Sequence, residues 1–327
     1  MENLKEKIIK AISKDLEEIE KAIARNLVPH LELVKIISEH ILFSGGKRLR
    51  PVLMLESARI CGKNTPDLYD YSIIFEYLHS ATLLHDDLID EAQLRRGKKA
   101  AHTVYGNAAA VLTGDFLLAK SLNIASLLRD PEIVNEVSKI TEEMSQGEIH
   151  QLIIKGNMSI TEEEYFEIIK RKTAVLIEGA CRTGARIAKA DEEKVKKLGE
   201  YGYHLGMAFQ MADDLLDYLS DSKSLGKMPG ADLREGKLTL PLIHAVSLCS
   251  EKEKALIEKE IEKGLSAIEP DFDLIVSLVE QYDGLSYTQK IAETHVKKAK
   301  NILSSLGQPK ETEILYMLAD YSLSRKS

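Results

Sequence analysis

Apolar residues recur at spacings of three and four along almost the whole chain, and this periodicity constrains the fold more than any other feature. It places apolar side chains on one face of successive helices, whereas the few short apolar runs lack the alternation and turn residues of strands. Pro and Gly mark the breaks between helices, at residues 44–51, 61–66, 128–131, 155–159 and 227–230. The sequence therefore predicts an all-α protein, a bundle of roughly ten or more helices.

The breaks also bear on domain organisation. None is long enough to be a domain linker, and the chain has no low-complexity segment and no short tandem repeat. With 327 residues and 44% hydrophobic side chains, the chain can bury a sizeable core. We therefore expect residues 1–327 to form a single domain.

Composition excludes several classes of protein. A net charge of -8 gives no basic footprint for nucleic acid. Cys61, Cys181 and Cys249 are far apart and odd in number, so neither a disulfide framework nor a zinc site is predicted. The N-terminus has the pattern of a charged amphipathic helix rather than a signal peptide, and no uninterrupted apolar run is long enough to span a membrane. We expect a cytoplasmic protein.

Two similar acidic motifs are the most informative feature for function: DDLID at 86–90 and DDLLD at 213–217. Residues i and i+4 share a helix face, so each motif forms a carboxylate cluster. A solvated acidic face would explain one such motif, but both lie in apolar surroundings, where carboxylates are costly unless they are paired or bind metal. Oxygen ligands without Cys or His point to Mg²⁺, which binds through one or two carboxylates plus substrate phosphates.

Basic residues accompany the acidic motifs. Arg95 and Arg96 follow the first motif, and GGKRLRP at 45–51 adds Lys47, Arg48 and Arg50 on a Gly-rich turn. Taken alone, Arg95 and Arg96 could be a surface helix end and GGKRLRP a solvated turn. Lys172 could likewise lie on a plain helix face. Together with the lysines near the second motif they could neutralise a diphosphate held by metal ions. Those lysines are Lys172 in RKTA, Lys227 and Lys237.

Five blocks occur in order between residues 45 and 241: GGKRLRP, LLHDDLIDEAQLRRG, RKTA, FQMADDLLD and DSKSLGKMPGADLREGKLTLP. In this combination the chain resembles the trans-polyprenyl diphosphate synthase family, including its long-chain, octaprenyl-type members. The resemblance implies a helical bundle around a deep central cavity, the isoprenoid synthase fold, usually as a homodimer. It also implies Mg²⁺-dependent head-to-tail addition of isopentenyl diphosphate to an allylic diphosphate.

The resemblance further implies roles for individual residues. About three Mg²⁺ ions, or Mn²⁺ in their place, would be bound by the acidic motifs. The direct ligands would be Asp86, Asp90 and Asp213, supported directly or through water by Asp87, Asp214 and Asp217. The allylic diphosphate would be held by Arg95, Lys172 and Lys227, and Lys237 is a further substrate-binding candidate from the sequence. The isopentenyl diphosphate pocket, which has no metal, would consist of Lys47, Arg50, His79 and Arg96. The oxygens of Thr173 and Gln210 match positions that face the allylic carbon.

Rival functions differ in their motifs. A class I terpene cyclase also has a DDxxD motif, but it would carry an Asn/Asp, Ser/Thr, Glu metal motif in place of the second one and would need no GGKRLRP pocket. Two intact acidic motifs argue against a non-catalytic partner or a plain structural bundle. The catalytic subunit of a two-component prenyl synthase stays open as an alternative.

Product length is predicted from the helix that precedes Asp86. A growing chain should run past residues about one turn apart on that helix. These residues are Ala81, Thr82, Leu78, Phe75 and Ile74. Family members making C15 or C20 products often have an aromatic ring four or five positions before the motif, where this chain has Ala81 and Thr82. We therefore expect a long product, about C40, for a quinone side chain, with at most peripheral membrane contact for its release. A C15–C20 synthase is the alternative.

Overall fold

The structure is a computed structural model that describes residues 3–219, 230–307 and 312–324. In these residues the secondary structure is helical apart from one short hairpin, which confirms the all-α prediction. The helices are α1 (Leu4–Ala11), α2 (Ser13–Asn26), α3 (Glu32–Leu42), α4 (Leu49–Ile60), α5 (Leu68–Ile89), α6 (Ala101–Tyr105), α7 (Asn107–Leu127), α8 (Pro131–Ile154), α9 (Glu162–Ile169), α10 (Val175–Ile187), α11 (Glu192–Leu219), α12 (Ala231–Arg234), α13 (Leu240–Leu248), α14 (Glu251–Leu265), α15 (Phe272–Gln281), α16 (Gly284–Ser305) and α17 (Glu313–Ser324). A π-helical turn, Lys170–Ala174, joins α9 to α10.

Helix starts follow recognisable sequence signals. Pro131 is the first residue of α8, a position where its missing N–H costs no hydrogen bond. Thr161 caps α9 in a reciprocal arrangement: its hydroxyl accepts from the Glu164 N–H at 3.1 Å, and the Glu164 carboxylate accepts from the Thr161 N–H at 2.8 Å. The cap fixes the start of α9, which carries a tyrosine of the second acidic site.

A two-stranded hairpin, β1 (Leu94–Arg95) and β2 (Lys98–Lys99), departs from the helical prediction. The strands pair antiparallel, with Arg95 opposite Lys98. Between them Arg96 and Gly97 both have positive φ, 52° and 76°. A two-residue turn with positive φ at both positions matches the twist of paired strands, and glycine adopts it without strain. The sequence RRG therefore ends in a tight turn rather than a helix.

The chain groups into two compact units. The first comprises Met1–Glu142, Leu176–Gly202 and Ile302–Leu318, and the second comprises Glu143–Val175, Tyr203–Asn301 and Ala319–Ser327. The boundaries fall inside α8, α10, α11, α16 and α17 rather than in loops. That residues 1–327 act as a single domain around a deep cavity stays a prediction.

The core of the first unit is built around α5. This helix packs against α2, α3, α4 and α7, and most of its residues from Leu68 to Ala81 are buried. A helix that is apolar on nearly every face belongs in a core. Glycine permits the closest approach here: a Cβ on Gly184 of α10 would stand 2.2 Å from the Met54 carbonyl oxygen of α4.

The core of the second unit is a cluster of buried apolar residues from α9, α11, α13, α14 and α15. Gly206 of α11 lies against the π-helical turn, because a Cβ there would stand 2.5 Å from Ala174 Cα. The absence of a side chain at Gly206 thus lets α11 bring its acidic motif beside the residues of RKTA.

By length and composition alone, one helix in the described residues, α7, could cross a membrane. It packs against α5, and a core helix of a soluble protein passes the same test. The finding is weak evidence for a span.

Candidate active site

The first acidic motif lies at the C-terminal end of α5, with Asp90 as its C-cap. Asp86 and Asp90 are half-exposed, whereas Asp87 is 1% exposed. Arg95, on the hairpin, donates from Nε to Asp87 Oδ1 at 2.7 Å and makes a second bond from Nη2. The hairpin therefore holds a guanidinium against the buried carboxylate and leaves the two outer carboxylates toward solvent.

This donor set fits a divalent cation. Asp87 Oδ2 is buried and has no hydrogen-bond partner among the described residues. The negative end of the α5 dipole adds to the charge of three carboxylates, so a cation is favoured there. In the described ranges no three acidic, His or Cys side chains converge into a complete metal cage. Mg²⁺ suits an incomplete set, because it keeps waters and takes substrate phosphates as ligands.

A cationic cluster surrounds His79, about two turns before Asp86 on α5. Burial, then the charges of Arg50 and Arg96, lower the pKa of His79 well below its ordinary value. The imidazole is therefore neutral and offers a hydrogen bond rather than a charge. Lys47 is exposed on the turn before α4. The structure thus brings three of the predicted isopentenyl diphosphate residues together, namely Arg50, His79 and Arg96.

Glycine and a strained arginine shape this cluster. A Cβ on Gly46 would stand 3.0 Å from Arg96 Nη1, so the guanidinium packs across the glycine. Arg48 has a φ of 47° and a buried side chain that donates to Glu76 Oε1 and the Leu42 carbonyl, both at 2.6 Å, and to Glu20 Oε1 at 2.7 Å. Its charge is neutralised within the protein. The sequence motif groups Arg48 with Lys47 and Arg50, but these contacts give Arg48 a structural role.

The second acidic motif lies on α11. Asp213 is exposed and Asp214 is 4% exposed. The two carboxylate oxygens of Asp217 accept from the backbone N–H groups of Ala231 and Asp232, each at 3.0 Å. Asp217 therefore caps the short helix α12, and it fixes the segment that continues to Lys237.

A chain of hydrogen bonds joins the second motif to RKTA. Thr173 donates to Gln210 Oε1 at 2.7 Å, and Gln210 Nε2 donates to Asp214 Oδ1 at 2.9 Å. Tyr165 of α9 donates to Asp214 Oδ2 at 2.5 Å. Burial raises the pKa of Asp214 to about 6, although the bonds from Tyr165 and Gln210 act in the opposite direction. Burial and the adjacent Asp214 also raise the pKa of Tyr165 well above its ordinary value, so it remains a donor.

The π-helical turn carries Lys172 and Thr173 of the RKTA block. Lys172 Nζ lies 2.9 Å from Glu148 and 2.8 Å from Gln151 Oε1, both on α8. Gly147 allows this approach, since a Cβ there would stand 2.9 Å from the Lys172 backbone nitrogen. Single π-turns inside helices occur frequently at functional sites.

A cavity of about 120 Å³ lies within the second unit beside these residues. Its polar lining includes Gln151, Lys155, Tyr165, Lys172, Gln210, Asp214, Asp232, Lys237 and Thr239. Four of these are site residues predicted from the sequence, and the structure brings them together: Lys172, Gln210, Asp214 and Lys237. Lys227 lies outside the described residues.

Tyr165 and Asp232 were not among the site residues predicted from the sequence. Burial, then Asp214 and Asp217, raise the pKa of Asp232 well above its ordinary value, while Lys237 acts in the opposite direction. Asp232 lies inside a block that the resemblance already used, so its position could have identified it. Tyr165 stands in EEEYFEII, which reads as an ordinary amphipathic helix and carries no chemical signal.

The predicted chain-length residues lie in two environments. Ile74, Phe75, Leu78 and Ala81 are each at most 2% exposed in the core of the first unit. Thr82 is half-exposed, on the same face of α5 as His79 and Asp86.

Fold and site together define a class: an all-α protein whose helices carry two aspartate motifs, each beside cationic side chains. The sequence matches the polyprenyl synthetase family model over residues 31–272, and the chain belongs to this family. It is 35% identical over 322 residues to the octaprenyl diphosphate synthase of Escherichia coli, covering 98% of both chains. It is 33% identical over 293 residues to a short chain isoprenyl diphosphate synthase of Methanothermobacter thermautotrophicus, covering 88% of this chain and 89% of that one.

A solved structure agrees in fold. The polyprenyl synthase of Caulobacter crescentus, complexed with calcium and isoprenyl diphosphate, superposes with a TM-score of 0.91 and 33% identity. The superposition covers 98% of this chain and 97% of that one. The isoprenoid synthase fold expected from the sequence is thereby confirmed.

Proposed function

We propose that this protein is a prenyltransferase, a trans-polyprenyl diphosphate synthase that adds isopentenyl diphosphate head-to-tail to an allylic diphosphate. One observation carries the proposal. The first unit holds a carboxylate cluster at the end of α5 and, about two turns earlier, a separate cationic cluster around His79. A diphosphate bound through metal and a second one bound by side chains alone need two such sites. A terpene cyclase binds only one diphosphate.

The metal is proposed to be Mg²⁺, about three ions per active site, with Mn²⁺ able to substitute. Asp86, Asp90 and Asp213 would bind the ions. Asp87, Asp214 and Asp217 would support them directly or through water, and their hydrogen bonds to protein groups favour the indirect role. Bound Mg²⁺ supplies positive charge to the leaving diphosphate.

The side chains have separate tasks in the reaction. The allylic diphosphate would be held by Arg95, Lys172, Lys227 and Lys237. The allylic C–O bond breaks, the diphosphate leaves with the electron pair, and the oxygens of Thr173 and Gln210 stabilise the resulting cation. The double bond of isopentenyl diphosphate attacks that cation, and a proton is lost to the released diphosphate. Apolar surroundings keep water from the cation.

The product is proposed to be about C40, a precursor of a quinone side chain, with C15–C20 as the alternative. The octaprenyl synthase of Escherichia coli supports the longer product, and the short chain enzyme supports the alternative. Release would involve at most peripheral membrane contact. We also propose a cytoplasmic location, a homodimer and no nucleic-acid partner, the last consistent with a net charge of -8.

The proposal is tested with purified chain, isopentenyl diphosphate and an allylic diphosphate. We expect activity that needs Mg²⁺ or Mn²⁺, and a kcat lowered by orders of magnitude in Asp86→Ala and Asp213→Ala, because ligand loss removes charge stabilisation from the transition state. Glu258→Ala, at an exposed position on α14, is the control. Circular dichroism checks that each variant is folded. Undiminished turnover in EDTA would contradict the proposal.

A further inference from the structure

Asp214 differs from a typical metal ligand because protein donors already use both of its oxygens. Tyr165 donates to Oδ2 at 2.5 Å and Gln210 donates to Oδ1 at 2.9 Å. The carboxylate is 4% exposed, while the adjacent Asp213 is exposed. The two neighbouring aspartates therefore have different surroundings, and only Asp213 faces outward.

The acceptor character of Asp214 fixes the direction of the whole hydrogen-bond chain. A carboxylate only accepts hydrogen bonds, so the side of the Gln210 amide that faces it must be the NH₂ group. The amide oxygen then faces Thr173, whose hydroxyl donates its proton to that oxygen at 2.7 Å. With its proton directed inward, Thr173 offers only lone pairs to anything else that approaches its oxygen.

We propose that Tyr165 and Asp214 are positioning residues that orient the Gln210 amide, so that Gln210 and Thr173 present oxygen lone pairs to a carbocation. The inference rests on the proposed function, since it assigns these lone pairs to the cationic stage of prenyl transfer. For Asp214, a role through Gln210 replaces the support of metal ions given under the proposed function, because both of its oxygens already accept from protein donors. The inference also adds Tyr165, which lines the same cavity as Gln210 and Lys172.

The surroundings of Tyr165 suit a fixed donor. Its side chain is 4% exposed within the apolar cluster of the second unit. Its ring lies edge-on to the ring of Phe166, with the ring centroids 5.5 Å apart. The Thr161 cap fixes the start of α9, the helix that carries Tyr165. The hydroxyl therefore meets Asp214 from a rigid element, which positions a group more accurately than a loop does.

Two variants of nearly unchanged shape test the proposal. Tyr165→Phe removes one oxygen and leaves Asp214 held by Gln210 alone. Asp214→Asn can turn an NH₂ group toward Gln210, which allows the amide to reverse and Thr173 to point its O–H outward. We expect kcat to fall roughly 10-fold in the first and roughly 100-fold in the second. The Mg²⁺ concentration for half-maximal activity and both KM values should stay within about twofold of wild type.

A binding measurement separates positioning from a general structural defect. Calorimetry compares an allylic diphosphate analogue that carries an ammonium nitrogen in place of the reacting carbon with its uncharged carbon isostere. Wild type should prefer the ammonium compound, and the preference should fall about 10-fold in Tyr165→Phe. Tyr287→Phe is the matched control, because Tyr287 also donates to a carboxylate, Glu162 at 2.8 Å, but does not line the cavity.

A double-mutant cycle tests whether Tyr165 acts through the hydrogen bonds that lead to Thr173. Thr173→Ser keeps the hydroxyl donor and should retain most activity, whereas Thr173→Val removes the hydrogen bond to Gln210. Adding Tyr165→Phe to Thr173→Val should then cost less than adding it to wild type. Thermal unfolding of each variant checks folding.

The outcomes are distinguishable. A folded wild-type chain that forms no prenyl product, either alone or with a second protein added, would refute the proposed function itself. An active wild type with Tyr165→Phe indistinguishable from Tyr287→Phe would overturn the positioning role. A raised Mg²⁺ requirement in Asp214→Asn, with the ammonium preference intact, would assign Asp214 to the metal and overturn the inference as well.

Discussion

Arg48 and Arg50 lie two residues apart in GGKRLRP but have different tasks. Arg48 is buried between Glu20 and Glu76, whereas Arg50 lies with Arg96 near His79. The distinction depends on the left-handed φ of Arg48, which turns its side chain inward, and on Glu76, which is 28 residues away in the chain. Neither is visible in the motif, so the sequence alone could group the three cations but could not separate their roles.

The two arginines should therefore respond differently to substitution. We expect Arg50→Ala and Lys47→Ala to raise KM for isopentenyl diphosphate with little change in kcat, because a charge-assisted contact to the diphosphate, worth about 1.5 to 3 kcal/mol, acts in ground and transition states alike. Arg48→Met should instead lower the free energy of unfolding by about 3 to 5 kcal/mol, because it leaves Glu76 buried without its ion pair.

Steady-state kinetics with each substrate varied in turn, and chemical denaturation, measure these effects. Arg59→Met serves as a comparison for stability, since Arg59 is also paired with buried carboxylates, Asp15 and Glu56, but lies outside both candidate sites. Equal increases in KM for both substrates in Arg50→Ala would argue against a separate isopentenyl diphosphate pocket.

At the scale of elements, long periodic helices were predictable and short irregular elements were not. The Asp motifs were placed on helices because apolar residues at spacings of three and four surround them. The hairpin depends on positive φ at Arg96 and Gly97, and the π-helical turn depends on contacts of Lys172 and Thr173 with other helices. The secondary-structure propensities of five residues therefore could not predict the hairpin or the π-helical turn.

Helix α5 provides a test of product length. Ala81 is buried in the core, while Thr82 lies on the half-exposed face with Asp86. We expect Ala81→Phe to shift products from about C40 toward C15–C20, because a rigid ring four or five residues before the motif blocks the growing chain. Chromatography of dephosphorylated products measures the shift.

Thr82→Phe is the paired variant for this test. It places the same ring one residue further along α5, on the half-exposed face instead of in the core. Shortening by Thr82→Phe alone would show that the half-exposed face, and not Ala81, lies along the product. A full-length product from both variants would show that α5 does not set the length.

At the scale of the whole molecule, the helical fold was predictable from the apolar periodicity, and the family was predictable from five blocks of sequence. Assembly was not, since no motif encodes it. The two-component alternative depends on a second polypeptide, so the sequence of this chain could not predict whether a partner is needed.

A mass measurement addresses this scale. We expect size-exclusion chromatography with light scattering to give twice the 36.6 kDa of the chain, and the same fraction to transfer prenyl groups with no partner added. Isologous dimers are the commonest assembly of soluble homo-oligomers. A folded chain that becomes active only with a second protein would favour the two-component alternative.

The π-helical turn has a consequence for how this chain tolerates changes in length. Glu162–Ile187 can be regarded as one helical rod with a single surplus residue within Lys170–Ala174. Removing one of these five would restore an uninterrupted α-helix, which the backbone accepts readily, and would leave α9 and α10 in phase, but the residues that remain in the turn would point in different directions. Deletion of Ala174, which carries no charge, should therefore weaken the contact of Lys172 with Glu148 or that of Thr173 with Gln210. The number of residues in this turn therefore matters as much as their chemistry. A one-residue deletion that leaves folding unchanged should still lower catalytic activity.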